Sequence, residues 1–225
     1  GGRERILKVH TKDKKLDESV SLSDIAKKTT GFSGADLANL MNECAIRAVR
    51  DGLKGVITKE VVEDVFQRLV VGAKGDTTFS ALKKELIAYH EGGHAIVGAS
   101  FVDFDMVRKV SIIPRGSAGG VTFFQPREES GLFPKSYFKN QIKVALGGRA
   151  AEEIVYGKEE ITNGASADYA QAYQLARQMV TMYGFGENNY DYNNVSQESA
   201  RQIDLEIDAL VKECYEEVLA LLIQK

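Results

Sequence analysis

The sequence predicts a mainly α protein in two helical parts, the second of which carries a small β-sheet. Three observations lead there. Apolar residues recur at the three- and four-residue spacing of helices along most of the 225 residues, behind recognisable N-caps. Convincing strand material is confined to residues 107–113 and 120–124. Between the helical stretches, residues 71–79, with Gly72, Gly75 and Asp76, break the periodicity and mark a linker, which divides the chain into residues 1–71 and 72–225.

In the first part, helical patterns cover residues 3–10, a segment opening near Ser21, and residues 33–50. Ser33 is a good N-cap, and Asp36, three residues on, can reach back to it at the positive end of the helix dipole. Leu37, Leu40, Met41, Cys44 and Ala48 then make one buried stripe. Thr58 can cap a fourth helix bearing Val61, Val62, Val65, Phe66 and Leu69. The expectation is a compact helical bundle.

In the second part, Leu82, Leu86, Tyr89, His90, Ala95, Ile96 and Val97 suggest one helix from Ser80 to about Phe101. The two strand segments follow, separated by Pro114, Arg115 and a glycine-rich turn, as a sheet of two or three strands. Helices are expected at residues 135–156, 166–183 and 197–223. In the last, Ile203, Ile207, Leu210, Cys214, Val218 and Leu221 must pack on one face. Residues 188–194, rich in asparagine, read as a loop.

Composition excludes some functions. Twenty-nine basic residues against 32 acidic ones leave no broad positive field, so nucleic acid is not an expected partner. Cys44 and Cys214 sit in apolar helical patterns and read as buried reduced thiols. No run reaches the roughly 18 apolar residues of a membrane span, so the chain as it stands is expected to be soluble. Gly1-Gly2 followed at once by a basic helical segment reads as a start inside a longer protein, with any upstream membrane anchor out of view.

His90-Glu91-Gly92-Gly93-His94 carries the chemistry. On a helix, His-Glu-x-x-His sets two imidazoles on one face, close enough to share a zinc ion, with the glutamate beside them as general base for the attacking water. Only three histidines exist in the chain, and two fall in this pattern. Each of the adjacent glycines costs a helix about 1 kcal/mol relative to alanine, which makes sense where the backbone must let another element approach. A catalytic zinc needs a third protein ligand and an open fourth position. His10 lies across the predicted boundary, which leaves Glu152, Glu153 and Asp168. Spacing does not choose among these three.

Five collinear segments resemble the FtsH family of membrane-anchored, ATP-dependent zinc metalloproteases. They are Gly31-Phe32-Ser33-Gly34-Ala35-Asp36-Leu37, Ala88-Tyr89-His90-Glu91-Gly92-Gly93-His94-Ala95, Ser111-Ile112-Ile113-Pro114-Arg115-Gly116, Leu146-Gly147-Gly148-Arg149-Ala150-Ala151-Glu152, and Gly164-Ala165-Ser166-Ala167-Asp168. The resemblance implies that residues 1–71 are the C-terminal helical lid of an AAA ATPase module. It implies that residues 72–225 are a mostly helical zinc metallopeptidase domain with a small β-sheet. It also implies Asp168 as third ligand beside His90 and His94, Glu91 as catalytic base, and polypeptide substrates.

By the same resemblance the strand at Gly119, Gly120, Val121 and Thr122 borders the cleft. An exposed edge there can take an extended substrate as a further strand. Shielding of that edge by a neighbouring subunit is the alternative, and both readings stay open. The family assembles as hexamers, here homo- or hetero-hexameric, and is anchored in a membrane. Segments such as Val121-Thr122-Phe123-Phe124 look more like plastid (thylakoid) or cyanobacterial members, with a mitochondrial or bacterial inner membrane left open. Rival readings are a ring component that no longer cleaves, or a nucleotide-sensing lid with an assembly domain.

Three features depart from the family. Gly92 stands where alanine is usual. The loop at residues 188–194 is shorter than expected. The phosphate-binding Gly-x-x-x-x-Gly-Lys-Ser/Thr loop is absent, so ATP and Mg2+ belong only to the full-length protein and this stretch should not hydrolyse ATP alone.

Overall fold

The computed structural model describes residues 1–71, 79–114, 119–127, 131–188, 190 and 196–225. Residues 72–78 of the linker predicted at 71–79, Arg115 and Gly116 of the turn, and most of the asparagine-rich loop lie outside the described residues. The chain divides into two compact units, Gly1–Thr77 with Ile113–Gly119, and Thr78–Ile112 with Gly120–Lys225.

The first unit runs α1 (Gly2–His10), β1 (Lys15–Leu16), α2 (Leu22–Lys28), α3 (Gly34–Arg50), β2 (Val56–Ile57) and α4 (Lys59–Val71). Helix α3 starts where the capping residues direct it. Ser33 Oγ accepts from the Asp36 amide at 3.2 Å, and the Ser33 amide donates to Asp36 Oδ2 at 2.8 Å. Such a cap stabilises a helix by about 1 kcal/mol. The predicted stripe Leu37, Leu40, Met41, Cys44 and Ala48 is wholly buried, packed with Leu7, Ile25, Ile57, Val61, Val62 and Val65.

Two expectations need correction in this unit. It is not helical throughout, because β1 pairs in parallel with β2 (Lys15↔Val56, Leu16↔Ile57). Two-residue strands are too short for alternation to show in sequence. Leu69, the last residue of the apolar pattern that signals α4, is 37% exposed in the final turn of that helix, outside the packed bundle.

The second unit begins with α5 (Ala81–Ala99), capped by Ser80 Oγ, which accepts from the Lys83 amide. Strands β3 (Met106–Ser111) and β4 (Val121–Gln125) pair antiparallel from Met106↔Gln125 to Ser111↔Val121, with an irregularity between Val107 and Lys109. The sheet has two strands, and β3 stops two residues before the predicted end, where its pairing with β4 stops. Then come α6 (Lys135–Tyr156), α7 (Ser166–Thr181) and α8 (Gln197–Ile223), with two 3₁₀ turns, Lys158–Glu160 and Asn163–Ala165, between α6 and α7.

Helix α6 is the centre of this unit. Ile142 and Leu146 pack with Ala172, Ala176 and Met179 of α7 and with Ile203, Ile207, Val211 and Cys214 of α8. Val144 and Ala150 pack with Val97 of α5, Phe104 and Val218. Helix α6 is covered on several sides along its middle, where Ile142, Val144, Ala145, Leu146, Gly147, Gly148, Ala150 and Ala151 are buried, while Lys139, Lys143 and Arg149 interrupt the apolar run. Both cysteines are free and buried, as expected; burial pushes the Cys44 thiol up to about 12 and the Cys214 thiol up to about 11.

Candidate active site

Helices α5 and α6 meet backbone to backbone where both carry glycine. A Cβ on Gly93 would overlap the Gly147 carbonyl oxygen and lie 2.8 Å from Ala151 Cβ, and one on Gly147 would lie 2.8 Å from the Gly93 oxygen. The helix-weakening glycine at 93 therefore serves close approach, as its sequence context predicts. Gly92 does not: a Cβ there meets nothing within 4 Å, because position 92 points away from α6. Gly148 clears a place for the His90 ring, since a Cβ on it would come within 2.5–2.7 Å of three ring atoms.

The buried face of α5 is Ile87, Glu91, Gly93, His94, Val97 and Gly98. Of the residues whose spacing signals this helix, Leu82, Tyr89 and Ile96 are 70%, 44% and 42% exposed.

Each histidine is fixed through Nδ1. His94 Nδ1 lies 2.6 Å from the Val144 carbonyl oxygen, which can only accept, so this nitrogen carries the proton. His90 Nδ1 lies 2.7 Å from Glu152 Oε1, and Glu152 is wholly buried. The second oxygen of Glu152 accepts from the Thr162 amide at 2.7 Å. One carboxylate thus fastens His90 and the segment leading into α7. The Thr162 hydroxyl in turn accepts from the Gly164 amide at 3.2 Å, and Asp168 follows in the first turn of α7.

With both Nδ1 atoms engaged, both Nε2 atoms turn to one point. They lie 3.1 Å apart, and Asp168 Oδ2 is 3.3 Å from His90 Nε2 and 3.6 Å from His94 Nε2. Among the described residues, His90, His94 and Asp168 are the group whose donor atoms, all within 4.8 Å of one another, could hold a metal ion. In neutral rings protonated at Nδ1, both Nε2 atoms present lone pairs, as the carboxylate does. Three acceptors converging without a hydrogen between them repel unless a cation or a proton joins them, so the donor set suits a small divalent ion.

The electrostatics agree. Burial alone would lower the His90 pKa, but hydrogen bonds to Asp168 and Glu152 outweigh it and raise the value. Burial would raise Asp168, yet its contacts with His90 and His94 hold it well below the usual carboxylate range.

Glu91 is buried beside these residues, 7% exposed. Thr122 Oγ1, on β4, donates to Glu91 Oε2 at 2.7 Å and lies 3.0 Å from the Glu91 carbonyl oxygen. A Cβ on Gly120 would come within 2.8 Å of Glu91 Cγ and Oε1. Gly120 and Thr122, read from sequence as substrate-binding, thus border Glu91. Val121 opens β4, and Gly119 groups with the first unit.

The remaining candidates lie elsewhere. Glu153 accepts from the Tyr215 hydroxyl at 2.6 Å, and His10 ends α1 in the first unit. Sequence reasoning missed the Glu152 link to His90, the Val144 carbonyl and the space kept by Gly148. The signal available was the pair Gly147-Gly148, as costly to a helix as Gly92-Gly93.

Comparisons with known proteins agree with this geometry. Peptidase family M41 matches residues 77–225, and the AAA+ lid domain matches residues 19–64. The chain is 45% identical over 237 residues to the chloroplastic ATP-dependent zinc metalloprotease FTSH of Capsicum annuum, covering 96% of this chain and 36% of that protein. It is 44% identical over 245 residues to the ATP-dependent zinc metalloprotease FtsH 3 of Synechocystis sp., covering 99% of this chain and 40% of that protein. It is 44% identical over 234 residues to the ATP-dependent zinc metalloprotease FtsH of Synechococcus sp., covering 96% and 37%. The chain therefore spans little more than a third of the length of these relatives. With the M41 match over more than half of its residues and a zinc-suited donor set built on α5 and α7, the chain belongs to peptidase family M41, its peptidase part preceded by an AAA+ lid segment.

Proposed function

We propose that the chain is the peptidase part of an ATP-dependent zinc endopeptidase, with His90, His94 and Asp168 as the metal ligands and Glu91 as the general base. The observation that carries this reading is the convergence of three acceptor atoms within 4.8 Å, beside a buried glutamate. Zinc held there supplies Lewis acidity, polarising a scissile carbonyl and lowering the pKa of a water toward about 7. Glu91 takes the proton of the attacking water and later delivers it to the departing amine. The O–H and C–N bonds broken are thus matched by the C–O and N–H bonds formed. Glu152 and the Val144 carbonyl keep the two imidazoles in the tautomer that presents Nε2.

Residues 1–71 are proposed to be the lid of an ATPase module whose nucleotide-binding loop is not in this sequence, and residues 72–225 the peptidase domain. Substrates are then unfolded or membrane-extracted polypeptides, delivered by a hexameric ring. No described helix is long and apolar enough to cross a membrane, so anchoring belongs to other segments of the full-length protein. The chloroplastic and cyanobacterial relatives favour a thylakoid-type membrane.

The test is Glu91→Gln. It should keep zinc and lose cleavage by about 10²-fold or more. Full proteolysis by the zinc-loaded variant would refute the mechanism.

A further inference from the structure

We propose that Thr122 is a positioning residue for Glu91, fixing the carboxylate in the orientation that proton transfer requires; the inference rests on the reading of Glu91 as general base. The Thr122 hydroxyl has one proton and two acceptors in reach, Glu91 Oε2 at 2.7 Å and the Glu91 carbonyl oxygen at 3.0 Å. The shorter contact, to a charged acceptor, is the stronger. A glutamate side chain turns about three bonds, and one anchored oxygen removes most of that freedom. Held at Oε2, the carboxylate leaves Oε1 to receive the proton.

Gly120 supplies the second half of the device. A Cβ at that position would lie 2.7 Å from Ile87 Cγ2 and 2.8 Å from both Glu91 Cγ and Oε1, so only glycine leaves the carboxylate its place. The hydrogen bond thus comes from Thr122 within β4 and the steric clearance from Gly120, the residue before that strand. Because the Thr122 hydroxyl is committed to Glu91, its contribution belongs to turnover and not to the grip on substrate. A group that merely orients another gains its effect by holding a reacting atom within a fraction of an ångström.

The experiment compares Thr122→Val, which loses the hydroxyl at nearly constant shape, with Thr122→Ser, which keeps it. Both are made in the full-length, zinc-loaded protein. The readouts are kcat and KM on a short fluorogenic peptide, and zinc per chain by elemental analysis. Thr122→Val should lower kcat about tenfold or more, with KM and zinc within about twofold of wild type, and Thr122→Ser should restore kcat to within about threefold. In a Glu91→Gln background, Thr122→Val should cause no further loss. The proposal is overturned if Thr122→Val leaves kcat unchanged, if its effect falls on KM alone, or if Thr122→Ser is as impaired as Thr122→Val. Should Thr122→Val fail to fold, Thr122→Ala is judged by the same criteria. Glu91→Gln separates the two readings. If it cleaves at the wild-type rate, the base assignment has failed. If it is inactive while Thr122→Val is fully active, only the positioning role has.

Discussion

Glu152 shows how much a site depends on residues that do not face its centre. Its two oxygens bind His90 Nδ1 and the Thr162 amide, so one side chain sets the tautomer of His90 and holds the approach to Asp168. Glu152→Gln should lower zinc affinity by about 10–100-fold, measured by competition with a chelator of known affinity, without unfolding the chain. The pH dependence follows from the raised His90 pKa. In the metal-free chain the folded value lies above the unfolded histidine value of about 6.5, so its stabilising contribution is complete below that and is lost as pH rises through the folded value. Zinc must displace that proton, so its affinity falls as pH drops through the same raised value. The gap in Tm between zinc-loaded and chelated protein should therefore narrow as the pH is lowered from 8 to about 6. Asp168, with its pKa lowered, stays ionised throughout that window. The His90-Glu91-x-x-His94 pair was legible from sequence because its chemistry is local to one helix. Glu152 was legible only as one of three carboxylates, because helical spacing on α6 does not say which nitrogen of a ring on α5 it meets.

At the scale of elements, the decisive contact is the crossing of α5 and α6. Gly93→Ala forces a methyl onto the Gly147 carbonyl, which is backbone and cannot swing aside. The helices must separate, with a cost of about 1–3 kcal/mol as for other overpacking changes, and His94, the next residue, moves with them. Gly92→Ala meets open space and should stabilise α5 by up to about 1 kcal/mol. Chemical denaturation of both variants checks the pair: equal effects would contradict the packing account. Residue spacing foresaw that glycine here marks close approach but gave no means of telling Gly92 from Gly93. Helix α5 buries the polar Glu91 and His94, whose side chains are satisfied by the Thr122 hydroxyl and the Val144 carbonyl. Helices α3, α6 and α8 were legible almost to the residue, α3 because its Ser33 cap and apolar stripe agree and α8 because its apolar residues step by three or four. The short strands β1 and β2 were not, as two residues carry no period.

Across the whole molecule, the lid-type unit and the peptidase unit each have their own core. The candidate site lies in the second, where α5 supplies two donors and the proposed base Glu91, α6 the fixing carboxylate and carbonyl, α7 the third donor, and β4 the contact to Glu91. The central claim is that His90, His94 and Asp168 together hold a catalytic zinc. It is tested most directly by zinc content, measured by elemental analysis on the purified wild-type chain and on Asp168→Asn, with casein cleavage followed on the same samples. The account predicts about one zinc per wild-type chain, and a loss of zinc and of cleavage together in the variant. A variant that keeps full zinc and full activity, or a folded, zinc-supplemented wild type that binds none, would contradict it.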